Sequence, residues 1–125
     1  MEKRKILIID DESDFRTMLK LNLEENGEFE ILGISDGREV LDKVYTFRPD
    51  LILLDLIMPM IGGLDVCEIL NGDSQGKNIP IIILSALDKK GDKLKAYKMG
   101  VVDYIEKPID PEILFIKIRK ALKYK

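Results

Sequence analysis

Three stretches of this chain are apolar on every residue rather than on alternate ones: "ILII" at 6–9, "LILL" at 51–54 and "IIIL" at 81–84. A strand with one wet face alternates apolar and polar side chains. An unbroken run therefore asks for cover on both faces, as in a parallel sheet between helical layers. The runs are also too short to be independent helices. We read strands at 5–10, 50–55, 79–85 and 101–105. The more mixed "FEILGI" at 29–34 suits an edge strand.

Helical spacing fills the gaps. Phe15, Leu19 and Leu23 recur every fourth residue, with Gly27 as a stop. Val40, Leu41, Val44 and Phe47 make a stripe with Asp36 as a cap and Pro49 beyond it. Leu64, Val66 or Cys67, and Leu70 form another, running into "NGDSQG", read as a flexible loop. Residues 88–99 are Lys-rich with Leu94 and Tyr97 on one side, and Gly100 closes them. "DPE" at 110–112 opens a last helix to 123 with an N-cap, a proline in the first turn and an acid. Strand and helix alternate five times. This predicts an α/β fold, a doubly wound (βα)5 three-layer sandwich. Its parallel five-stranded sheet has the flavodoxin-like order 2-1-3-4-5.

At 125 residues the chain is expected to be one domain, 1–125. A net charge of −3 gives no argument for nucleic acid as the main partner. A single cysteine, Cys67, rules out a disulfide within the chain and suits a reducing compartment. No apolar run reaches membrane-spanning or signal-peptide length, so a cytoplasmic protein without membrane contact is expected. There is no histidine, which excludes histidine-based catalysis, histidine metal ligands and a phosphohistidine carrier.

Open α/β sheets place their sites beyond the carboxyl ends of the strands, where the strand order reverses. At those ends stand Asp10 and Asp11, then Asp55, then Ser85, then Lys107 before Pro108. Singly, each has an ordinary explanation: caps for the acids and the serine, turn chemistry for Asp55, a solvated Lys107. Their convergence on one edge outweighs those explanations. Three carboxylates held together need a cation. An all-oxygen ligand set without histidine favours a hard one, so Mg2+ is expected, with Mn2+ as a substitute. Asp55 would then be a competent nucleophile for an aspartyl phosphate. Lys107 and the Ser85 hydroxyl suit the oxygens of a transferring phosphoryl group.

"DDE" (10–12), "DLILLDLIMP" (50–59) with Gly63, "ILSA" (83–86) and "MGVVDYIEKPID" (99–110), in this order, resemble a response-regulator receiver domain of two-component signalling, over essentially the whole chain. The resemblance implies that Asp55 is the phosphorylation site. It implies that Asp11 binds Mg2+ directly and Asp10 chiefly through a metal-bound water. Asp55 and the backbone carbonyl of Ile57 complete the protein ligands. Ser85 would follow the phosphoryl group, and Lys107 would pair with Asp55 and then with the phosphate, across a cis Lys107–Pro108 bond. Tyr104 would be the switch aromatic, turning inward as Ser85 moves and changing the surface of the fourth helix, fifth strand and fifth helix. The donor would be a histidine kinase, a phosphotransfer protein or a small acyl phosphate. The output would be a downstream protein or a C-terminal output domain, with a homodimer on phosphorylation in view. The expected role is a signalling switch that assists its own phosphorylation and dephosphorylation, not a turnover enzyme.

Ile57 and Leu87 flank the site and cannot orient water, which predicts slow self-dephosphorylation. The basic tail (Lys117, Arg119, Lys120, Lys123, Lys125) reads as a solvated helix end, without direct nucleic-acid binding. The last residues, "ALKYK", fit either a stand-alone receiver or a piece of a longer regulator. Three rivals remain. An aspartate-nucleophile phosphatase lacks a proton donor at Ile57. A flavodoxin-like cofactor binder would find its phosphate repelled by "DDESD". An interaction module without phosphate chemistry would not need all five polar positions.

Overall fold

The structure is a computed structural model and describes residues 2–86 and 91–123. The chain runs β1 (Arg4–Ile9), α1 (Ser13–Glu24), β2 (Phe29–Ile34), α2 (Val40–Thr46), β3 (Leu51–Leu54), α3 (Gly63–Asn71), β4 (Ile81–Ser85), α4 (Asp92–Lys98), β5 (Asp103–Glu106) and α5 (Pro111–Lys123). All strand pairs are parallel and the order is β2-β1-β3-β4-β5.

The unbroken apolar runs occupy the three central strands, where every residue of β3 and β4 is buried. Successive side chains point to opposite faces. Leu7, Ile9, Ile52, Leu54, Ile81 and Ile83 meet Val40, Val44, Val66, Cys67, Leu70 and Ala96 of α2, α3 and α4. Ile6, Ile8, Leu51, Leu53, Ile82 and Leu84 meet Leu19, Leu23, Leu114, Ile118 and Leu122 of α1 and α5. Burying each such aliphatic side chain contributes about 1.5–3 kcal/mol. β2 alternates buried and exposed positions over its first three residues, Phe29, Glu30 and Ile31, as an edge strand should.

Two local expectations change. The helix read across 36–47 opens as a 3-10 turn at Gly37–Glu39, capped by Asp36, whose carboxylate accepts from Arg38 N at 2.9 Å. "NGDSQG" is an ordered turn. Asp73 accepts from Gln75 N and Gly76 N at 3.0 and 2.7 Å and from the Tyr45 hydroxyl at 2.8 Å, and a 3-10 turn follows at Gly76–Asn78. Composition suggested mobility there, but the Asp73 carboxylate satisfies the turn's amides. The start of the helix expected at 88–99, Leu87 and Lys125 lie outside the described residues. No helix among the described residues is long and apolar enough to cross a membrane.

Candidate functional site

β1 and β3 are in register, with Ile9 opposite Leu54, so Asp10 and Asp55 leave neighbouring strands at the same level. Backbone bonds anchor both: Asp10 N donates to Ile34 O at 3.1 Å, and Asp55 N to Ile9 O at 3.0 Å. Asp10 and Asp55 are buried, whereas Asp11 is exposed. Each of the three offers one oxygen, and these oxygens lie within 4.8 Å of one another.

Asp10 is not the cap of α1, whose N-cap is Glu12 without a side-chain bond; its Oδ1 instead accepts from Glu12 N at 2.9 Å in a turn ahead of the helix. Its Oδ2 takes a hydrogen bond from Lys107 Nζ, also at 2.9 Å. The same ammonium lies 3.8 Å from Asp55 Oδ2 and 3.7 Å from Glu12 Oε1. Lys107 N donates to Ser85 O at 2.8 Å, which ties the end of β5 to β4 at this edge. The Lys107–Pro108 peptide is cis. Ser85 is fully buried at the last position of β4. Ile57 lies just past β3. Its N–H donates to Asp55 Oδ1 at 3.3 Å, and its side chain is half exposed. Tyr104 sits on β5 with its ring already withdrawn from solvent and Lys93 Nζ 5.5 Å from its centroid.

The electrostatics show excess negative charge. Burial raises the pKa of Asp55 to about 6; Lys107 and the Ile57 N–H oppose this, and the charges of Asp10 and Asp11 reinforce it. Burial alone would lower the pKa of Lys107, but the hydrogen bond and charge of Asp10, with Asp55 and Glu12, raise it. The chemistry of this donor set fits a hard divalent cation: oxygen atoms only, two buried carboxylates, and a rim left open at Asp11.

Gly63, at the start of α3, lets the helix close against the backbone just past β3. A Cβ there would lie 2.5 Å from Asp55 O and 2.7 Å from Leu56 Cα. Sequence reasoning brought Asp10, Asp11, Asp55, Ser85 and Lys107 to one edge, and the structure places them there. It quoted Glu12 within "DDE" and Phe15 within a helical stripe without giving either a contact with Lys107, and it missed Arg16. Arg16 Nη1 donates to the Asp10 carbonyl at 2.7 Å, and its side chain passes over Gly33, where a Cβ would meet Arg16 Cδ at 3.2 Å. The one available signal was the glycine interrupting the second strand.

Residues 6–119 match the family model described as the response regulator receiver domain. The chain is 38% identical over 120 residues to the alkaline phosphatase synthesis transcriptional regulatory protein PhoP of Bacillus subtilis, covering 96% of this chain and 49% of that protein. It is 37% identical over 121 residues to the DNA-binding response regulator MtrA of Mycobacterium leprae, covering 97% and 52%. The chain thus spans about half the length of these curated relatives. Among solved structures it is similar to the chemotaxis protein CheY4 of Vibrio cholerae, with a TM-score of 0.88 and 29% identity over 96% of this chain and 99% of that one. It is also similar to the BeF3-activated N-terminal receiver domain of RstA from Klebsiella pneumoniae, with a TM-score of 0.85 and 28% identity over 95% and 98%. Matched along nearly its whole length in sequence and in strand order, the chain belongs to the response regulator receiver domain family.

Proposed function

We propose that this domain is a phosphorylation-dependent switch that takes a phosphoryl group on Asp55 in the presence of Mg2+. The observation that carries this is the convergence of the Asp10, Asp11 and Asp55 oxygens with the Lys107 ammonium at one sheet edge. Asp10, Asp11, Asp55 and the Ile57 carbonyl hold the ion, with Asp10 acting chiefly through a bound water. When bound, the ion offsets the carboxylate repulsion and the charge on the phosphoryl oxygens. Asp55 attacks phosphorus, a new O–P bond forms, and the donor's N–P or acyl O–P bond breaks with its electron pair. Lys107 and Ser85 then bind phosphoryl oxygens. Tyr104, on the strand joined to Ser85, relays the change to the α4–β5–α5 face.

The donor is a histidine kinase, a phosphotransfer protein or a small acyl phosphate, and the setting is the cytoplasm. The domain spans 1–125 and governs a downstream protein or an output domain. The latter accords with relatives named as transcriptional and DNA-binding regulators. Direct nucleic-acid binding by the α5 end is not expected, since Lys117 pairs with Asp103 at 2.9 Å and Arg119 with Glu28 at 2.8 Å. The test is addition of Mg2+ and beryllofluoride, a phosphoryl mimic, followed by NMR. Chemical-shift changes around Asp55, Ser85 and Tyr104 are expected. No response, or the same response in Asp55→Asn, overturns the reading.

A further inference from the structure

Besides the carboxylates around it, the Lys107 ammonium has an aromatic neighbour that no phosphoryl chemistry calls for. Its Nζ lies 3.9 Å from the centroid of the Phe15 ring. The other cation–ring contacts of the described residues are longer, at 5.2 to 5.6 Å. Phe15 is held from behind: it packs against the apolar layer of α1 and α5, and the first turn of α1 begins just after the acidic residues. Lys107 is itself mostly buried, so the ring is a substantial part of what surrounds its charge.

We propose that Phe15 is a positioning residue for Lys107, holding the ammonium over the acidic pair; the proposal rests on Asp55 being the phosphoacceptor. An aromatic face attracts a cation through its quadrupole and keeps water from it. It does so without a directional hydrogen bond. A polar residue in that place would anchor Lys107 through a bond that phosphoryl oxygens would have to break. A ring leaves all three N–H donors free for oxygens, so the ammonium can pass from Asp10 Oδ2 to a group on Asp55 while staying on the same floor. A leucine would fill the core position similarly and supply no quadrupole. This separates positioning from packing.

The experiment compares Phe15→Leu and Phe15→Tyr, each alone and combined with Lys107→Ala. The first readout is the NMR shift of the Lys107 ε-methylene protons. Ring currents move them upfield in wild type and in Phe15→Tyr, and Phe15→Leu abolishes the displacement. The second is beryllofluoride affinity at saturating Mg2+. Phe15→Leu weakens it by a factor of roughly three to ten, and Phe15→Tyr by less than about twofold. In the Lys107→Ala background, Phe15→Leu changes it by less than about twofold. Wild-type affinity in Phe15→Leu overturns the proposal, as does a Lys107 ε-methylene with no upfield displacement in the wild type, and as does an equal loss in both backgrounds, which marks packing alone. Wild-type protein that responds no differently from Asp55→Asn overturns the reading of the site itself, a distinct failure.

Discussion

Lys107 is bonded to Asp10, not first to Asp55: its Nζ is 2.9 Å from Asp10 Oδ2 and 3.8 Å from Asp55 Oδ2. On the proposed reading, an internal ammonium thus competes with the cation for the Asp10 carboxylate. Lys107→Ala should therefore bind Mg2+ about tenfold more tightly while capturing beryllofluoride less well. Calorimetric titration checks the first effect, and an unchanged Mg2+ affinity would count against this competition.

The raised pKa of Asp55 carries a stability cost. The ordinary value is 3.8 and burial pushes it to about 6, so between those values the folded protein binds more protons than the unfolded chain. Without divalent cations, stability is highest below pH 4 on account of this group. It falls as pH rises through 6, by up to ~3 kcal/mol. Asp55→Asn should accordingly be more stable than wild type at pH 7.5 in EDTA, and the difference should vanish near pH 4. Urea unfolding at both pH values measures it.

Gly63 is required by a backbone, and backbone cannot step aside as a flexible side chain can. Gly63→Ala drives a methyl against Asp55 O and Leu56 Cα, and should cost about 2–3 kcal/mol and displace Asp55. Gly62→Ala meets its nearest atom, Leu56 O, at 3.3 Å and should cost less than about 1 kcal/mol. Thermal unfolding of the pair distinguishes the two positions.

Met60 adopts φ 71° in the loop after β3 with its side chain 75% exposed. Glycine accepts that backbone without a Cβ clash, and little packing is lost. Met60→Gly should raise stability by roughly 0.5–1 kcal/mol, and Met60→Ala should not. A Met60→Gly protein no more stable than Met60→Ala would show that the loop is not strained there.

Ile57 stands beside Asp55 with no group able to orient a water. The aspartyl phosphate should persist for minutes or longer, and Ile57→Asn should shorten its lifetime about tenfold. Decay of radiolabelled protein after removal of the donor gives both rates. A lifetime of seconds in the wild type would refute the shielding argument.

β1, β3 and β4 were legible because cover on both faces erases the usual alternation, leaving "ILII", "LILL" and "IIIL" as plain marks in the chain. Asp10 and Asp55 followed, since parallel strands bring their ends to one edge. Ser85 and Lys107 stood out only by convergence with those acids, because a serine and a lysine after strands are common on any α/β protein. In the sequence Phe15 is the first member of a helical stripe with Leu19 and Leu23. Nothing local tells an aromatic core residue from one that meets a lysine far along the chain. Composition alone makes the turn at Asp73 look flexible, because its order comes from a carboxylate folding back on its own amides, a matter of geometry.

The level placement of Asp10 and Asp55 depends on Ile9 lying opposite Leu54. A slip of one residue between β1 and β3 would shift one carboxylate by about 3.3 Å and turn it to the other face of the sheet. The acidic cluster is therefore a check on its own scaffold: a chain whose central strands have zipped up out of step cannot assemble it, and the three carboxylates meet only in correctly aligned molecules.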